Sequence, residues 1–259
     1  MKGVLAVGKI IAVANQKGGV GKSTTAINLS ACLAEKGKKI LTIDIDPQGN
    51  TTSGLGVDKN DIENTLYELM MDDADAENVI LRNVFENLDV IPSNVNLSGA
   101  EIELMDMDEK EYTLKKITDN LKDQYDYVIL DCPPSLSILT LNALCASDSV
   151  IVPIQCEYYA LEGLSQLIYT INLVKERLNS ELKIEGVLFT MFDVRNNLSQ
   201  QVVENVKNNL DQKIYETIIP RNVRLAEAPS YGLPIIMYDS RSAGADSYRR
   251  LAEEIIREE

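Results

Sequence analysis

Along the chain, apolar runs rich in valine and isoleucine alternate with longer stretches in which apolar residues recur every three or four positions. Short runs of the first kind suit strands buried on both faces, and the longer period suits helices lying across them. The pattern predicts strands at residues 10–15, 39–44, 88–91, 127–131, 149–153, 186–192 and 214–218. Helices are expected at 22–36, 114–122, 136–146, 162–178, 198–209 and 243–258. Strand and helix alternate from end to end. That implies an α/β fold: a single doubly wound, mostly parallel twisted sheet with helices on both faces. Gly37 suits the end of the first helix. With no internal repeat, low-complexity tract or Pro/Gly/Ser linker, residues 1–259 read as one domain with a short N-terminal extension at 1–9.

Charge alters this picture only when divided along the chain. The net charge is −15, which, spread evenly, would argue against a nucleic-acid partner. It is not spread evenly. Residues 1–60 carry eight Lys/Arg against four Asp/Glu, residues 61–174 five against 22, and residues 175–259 twelve against fourteen. The acidity belongs to the middle, chiefly 58–111, expected as helices and loops on a solvated edge of the sheet. A local basic surface elsewhere is compatible with the total. No run approaches the roughly 20 apolar residues of a membrane span. Residues 1–8 are too short and too weakly charged for a secretory signal, so a cytoplasmic protein is expected.

The chain has no histidine, which removes Ser-His-Asp and His-metal chemistry. Cys32, Cys132, Cys145 and Cys156 have no metal-ligand spacing and read as small hydrophobes. Catalysis then rests on carboxylates, lysines, backbone amides and a bound metal.

One segment supplies a phosphate site. Asn15-Gln16-Lys17-Gly18-Gly19-Val20-Gly21-Lys22-Ser23-Thr24 lies between an expected strand and an expected helix, the context of a P-loop. Its glycines let backbone N–H groups turn inward as an anion-binding nest, reinforced by the helix N-terminus. Lys22 would reach the β- and γ-phosphates of ATP, and the Ser23 hydroxyl would ligate Mg²⁺. Gln16 stands where the usual pattern has its first glycine.

Carboxylates close two strands. Asp44 and Asp46 share one side of the pleat, because residues i and i+2 do, and ligands bind at strand C-termini in open α/β sheets. Tyr127-Val128-Ile129-Leu130-Asp131 is an apolar strand ending in an acid, the Walker B arrangement. Asp131 would hold Mg²⁺ through water, since that ion dehydrates reluctantly. Cys132-Pro133-Pro134-Ser135 then reads as a switch loop.

KGGVGKST, with Lys17 as its extra lysine, is the deviant Walker A signature of ParA, MinD, the nitrogenase iron protein and the arsenical-pump ATPase. The blocks NQKGGVGKST, DIDPQGNTTSGLG, LDCPPSL, TMFDVRNNLS and IPRNVRLAEAPSYGLP resemble the chromosomal ParA/Soj branch in order and spacing, over nearly the whole chain. The resemblance implies an ATP hydrolase in which Lys17 crosses a dimer interface to the partner's phosphates. It gives Asp44 to the Mg²⁺ shell and Asp46 to the attacking water, and makes residues 47–50 a loop that senses the γ-phosphate. Pro220 and Asn222 are implied to hold the adenine. Arg195 and Arg224, and more weakly Arg221, are implied to bind double-stranded DNA without sequence preference. A ParB-like partner and a nucleoid-associated location complete the expectation.

The alternative is a membrane-associated positioning ATPase resembling MinD. Its basic membrane helix has no counterpart in the tail Leu251-Ala252-Glu253-Glu254-Ile255-Ile256-Arg257-Glu258-Glu259, so no stable membrane association is expected. The iron-protein branch needs paired cysteine ligands that Cys132 does not match. Plasmid-type relatives with a DNA-reading domain in front differ from this chain, where nine residues precede Ile10.

Overall fold

The computed structural model describes residues 8–157 and 160–258; most of the 1–9 extension lies outside them. Seven strands form one sheet: Lys9–Val13 (β1), Ile40–Asp44 (β2), Leu81–Phe85 (β3), Leu88–Ile91 (β4), Tyr127–Asp131 (β5), Ser149–Gln155 (β6) and Lys183–Thr190 (β7). Their order is β3-β4-β2-β5-β1-β6-β7, with every pairing parallel except β3 with β4. The doubly wound expectation holds.

The alternation of side chains along each strand divides the apolar residues between two layers. Ile10, Ala12, Leu41, Ile43, Val128 and Leu130 face one core, with Leu139 and Leu144 of the Ile138–Ala146 helix and Leu167 and Ile171 of the Ala160–Arg177 helix. Ile11, Val13, Ile40, Tyr127 and Ile129 face the other, against Leu29 and Leu33 of the Lys22–Glu35 helix and Leu251 and Ile255 of the Ala243–Arg257 helix. All four cysteines are buried and free. Burial pushes the Cys32 and Cys145 thiols up to about 12, as befits structural rather than reactive sulfur.

Two elements depart from the sequence expectation. The expected strand at 214–218 makes only isolated bridges, Val187 with Ile214 and Phe192 with Pro220. The Glu254 carboxylate is the reason: it accepts the backbone N–H groups of Glu216 at 2.7 Å and Thr217 at 3.1 Å. Thr217 N–H, on the side from which Tyr215 N–H and Ile219 N–H reach β7 carbonyls at 3.0 and 2.9 Å, is thereby taken out of the ladder.

The acidic segment contains the expected short helices, Leu66–Met71, Ala76–Val79 and Leu97–Glu103, and in addition β3. Nor is it merely a solvated edge, since Leu66, Leu97 and Leu104 are fully buried beneath its charged exterior. β3 is short, shifts register against β4, and carries Asn83 at φ 51°.

The parallel register aligns the functional strand ends. Asp131 lies opposite Val13 on one side and Asp44 on the other. The C-termini of β1, β5 and β2 thus open side by side, at the centre of the sheet where successive connections diverge.

Candidate nucleotide site

β1 leads into the glycine-rich loop, and Asn15 braces its start. The Asn15 amide donates to Pro153 O at 2.8 Å and its Oδ1 accepts Lys17 N–H at 2.9 Å. Gly19 and Gly21 have φ of 74° and 90°, values that favour glycine and turn peptide groups inward. Thr190 Oγ1 pins the loop tip by donating to Val20 O at 2.8 Å. The following helix starts at Lys22 with no side-chain cap, so its first N–H groups face the loop's concavity. Lys22 is buried, and its ammonium donates to Lys17 O at 3.0 Å. Burial lowers its pKa against the pull of Asp131 and Asp46. The group sits beside carboxylates in a cavity of about 600 Å³ that also receives Gly18, Ser23 and Thr24.

The three carboxylates are in place but are not equivalent. Asp44 is fully buried and committed to protein: its Oδ2 accepts Thr52 N–H at 2.8 Å and the Thr52 hydroxyl at 2.7 Å, and its Oδ1 accepts Asp46 N–H at 3.2 Å. Asp131 accepts the Thr51 hydroxyl at 2.7 Å on Oδ2, whereas its buried Oδ1 has no hydrogen-bond partner among the described residues. Burial raises the pKa of both groups, and their mutual repulsion adds to the rise at Asp131. An orphaned carboxylate oxygen below a serine at a helix start fits a hydrated Mg²⁺. No cluster of three or more acidic or sulfur ligands occurs among the described residues, so an all-protein metal cage is not what this site offers. Asp46 lines the phosphate cavity, its Oδ1 accepting Gln48 N–H at 2.9 Å and its carbonyl accepting Gly49 N–H, also at 2.9 Å.

A second cavity of about 310 Å³ opens beside the first and shares Gly21, Thr24 and Met191 with it. Pro220 and Asn222 line it, as does Arg221. Asn222 Oδ1 accepts Arg224 N–H at 2.8 Å, which leaves the amide N–H groups as donors. The pair joins an open, polar compartment to a more enclosed, more apolar one, a form that suits a polyphosphate and a base.

Arg195 and Arg221 stand on two loops that the backbone joins, with Phe192 N–H on Ile219 O at 3.1 Å and Arg221 N–H on Phe192 O at 2.9 Å, and Arg224 follows in the short helix Val223–Glu227. Arg195 is highly exposed (86%) and holds Asp193 through two hydrogen bonds of 3.0 and 2.9 Å. Arg224 is half exposed and paired with Glu227 at 2.9 Å and Asp239 at 3.5 Å. Arg221 is exposed at the rim of the base cavity. The Lys17 ammonium is 2.5 Å from the Glu157 carboxylate.

Sequence reasoning missed several residues that hold this site together. Thr51 and Thr52 lie inside the DIDPQGNTTSGLG block, and Thr190 and Met191 open the TMFDVRNNLS block, so their hydroxyls and position were a signal within reach. Ser93 and Glu157 come from distant segments without a motif, and only the fold brings them in.

Comparison with known proteins agrees with this geometry. Residues 8–184 match the AAA domain family. The chain is 59% identical over 249 residues to the sporulation initiation inhibitor protein Soj of Bacillus subtilis, covering 96% of this chain and 98% of that protein. It is 51% identical over 256 residues to the chromosome partitioning protein ParA of Myxococcus xanthus, covering 99% and 90%. Among solved structures, a cobyrinic acid a,c-diamide synthase from Mycobacterium smegmatis with bound ATP analog and magnesium superposes with a TM-score of 0.86 at 37% identity, covering 97% of this chain and 95% of that one. A loop with Lys17 and Lys22, the carboxylates of the neighbouring strand ends and full-length likeness to Soj and ParA lead to one assignment: the chain belongs to the ParA/Soj family of chromosome-partitioning ATPases.

Proposed function

We propose that the whole chain works as one ATP-driven switch for partitioning a chromosome or plasmid. It binds ATP with Mg²⁺, pairs face to face with a second copy, coats double-stranded DNA without sequence preference, and is released by hydrolysis that a ParB-like protein stimulates. Control of replication initiation is a further outcome of the same cycle. The observation that carries this reading is the junction of two cavities at Gly21, Thr24 and Met191, beneath which Lys22, Asp46 and Asp131 converge.

In this reading the backbone of residues 17–24 and the Lys22 ammonium hold the phosphates, while Pro220 and Asn222 hold the base. Ser23 would ligate the metal, Asp131 would hold it through water by its unpaired oxygen, and Asp44 would support that shell through Thr52 and the 46–49 turn. Mg²⁺ neutralises charge on the phosphate oxygens. Asp46 orients the attacking water, a role for which its place in the cavity and its fixed turn both argue. Lys17 exchanges Glu157 for the partner's phosphates. Positioning and electrostatics carry the step, and turnover of the protein without its partner is expected to be slow.

Arg195 and Arg224, with Arg221 between them, supply the phosphate contacts to DNA, which dimer symmetry doubles. A lipid-binding role is less well supported: Leu251, Ala252 and Ile255 of the last helix are buried against the sheet, which leaves no apolar face for a bilayer. Among the described residues no helix is long and apolar enough to cross a membrane.

The test is Asp46→Ala. The variant should bind ATP, lose turnover by about a hundredfold or more, and remain a dimer on DNA in light scattering and co-sedimentation. A variant that stays monomeric with ATP and Mg²⁺ would remove Asp46 from this role.

A further inference from the structure

The turn that aims Asp46 is held from two sides. Ser93 Oγ donates to Asp46 O at 2.9 Å. On the other side, the Lys59 ammonium donates to Gln48 O at 2.6 Å, and its stem lies over Gly49. The fit is close: a Cβ on Gly49 would stand 2.7 Å from Ser93 O and 2.9 Å from Lys59 Cδ, at a backbone φ of 61°. Gln48 is thereby fixed at both ends, its N–H on Asp46 Oδ1 and its carbonyl on Lys59. Lys59 also lines the phosphate cavity with Lys22 and Asp46.

From this arrangement we propose that Lys59 is a positioning residue for hydrolysis, holding the 46–49 turn so that the Asp46 carboxylate faces the phosphate cavity. A charged donor makes a stronger bond to a carbonyl than a neutral one, and a turn free to rotate about residues 48 and 49 would let the carboxylate swing. Misplacement of a reacting group by about 1 Å is enough to lower a rate a hundredfold. Lys59 touches neither water nor phosphate in this role; it acts through Gln48. The inference rests on the role proposed for Asp46.

Lys59→Met separates the ammonium from the packing, because methionine keeps an unbranched stem over Gly49 and loses the donor. In steady-state ATP turnover of the full chain, K59M should lower kcat about tenfold while KM for ATP changes by less than about threefold. K59R, which restores a charged donor, should return kcat to within about threefold of the parent. Equal thermal midpoints for the three proteins establish that each is folded. An unchanged kcat in K59M overturns the proposal, as does a K59R variant no better than K59M. A raised KM with unchanged kcat overturns it too, since Lys59 would then be a phosphate ligand. Failure of the parent reading is distinct: there the unsubstituted protein itself shows no ATP turnover, or Asp46→Ala leaves turnover intact.

Discussion

Three aspartates at neighbouring strand ends illustrate how surroundings divide chemically identical groups. Asp44 has every oxygen engaged by Thr52 and Asp46, Asp131 keeps one oxygen free of hydrogen bonds among the described residues, and Asp46 alone lines the cavity. The roles proposed for them in water orientation, metal support and scaffolding rest on that division. Asp193 presents the same question at the surface. Its two bonds from Arg195 hold its pKa down to about 2, so at any working pH it is charged and subtracts from the field Arg195 offers to a phosphate. Asp193→Asn should therefore raise DNA affinity of the ATP-bound protein about two- to fivefold at low salt, an advantage that screening erases at about 0.5 M. Filter binding over a salt series measures it. Weaker binding would mean that Asp193 is needed to aim Arg195.

Elements with strong local patterns were legible in the sequence, and those defined by long-range partners were not. β1, β2, β5 and β6 are nearly unbroken apolar runs, buried on both faces, and the loop and acids at their ends declare themselves by composition. Residues 214–218 read equally well as a strand. What the pattern cannot express is that Glu254, nearly forty positions away, takes two of that segment's N–H groups. β3 was invisible for the opposite reason: its half-exposed Leu-Arg-Asn-Val-Phe run lacks the apolar continuity of a central strand. The site followed suit, since loop and carboxylates were readable while Lys59 and Ser93 were not.

One contact between elements carries a pH signature. Lys9 of β1 and Glu185 of β7 meet at 2.8 Å across β6. Burial alone would raise the Glu185 pKa, yet the Lys9 ammonium outweighs it and the carboxyl sits below its ordinary value. Stability from such a group is present above the unfolded-state pKa and lost as pH falls through the folded one. Glu185→Gln should lower the thermal midpoint by about 2 °C at pH 7, and the gap should close as pH falls from about 5 to about 3. Calorimetry of both proteins over that range decides it; a gap that persists at pH 3 would assign the effect to packing.

For the molecule as a whole, the net charge of −15 does not describe each surface. The arginines of residues 190–225 stand on two joined loops and the short helix Val223–Glu227, remote in sequence from the acidic segment. Arg195→Glu with Arg224→Glu should abolish DNA retention while ATP-dependent dimerisation persists. It should also flatten the log–log salt dependence by about 3–4 units, because each dimer gives up about four arginine–phosphate pairs and the counterions they displace. Unchanged affinity and slope would move the DNA surface elsewhere.

The two borders of the sheet have their own consequence for assembly. On one side β3 is short, out of register and kinked at Asn83. On the other, residues 213–219 occupy hydrogen-bonding positions of β7. Neither border is a straight, vacant ladder on which another chain could extend the sheet. In the proposed cycle, copies gathered along a duplex would therefore not extend one another's sheets, and their pairing would fall to side chains around the nucleotide.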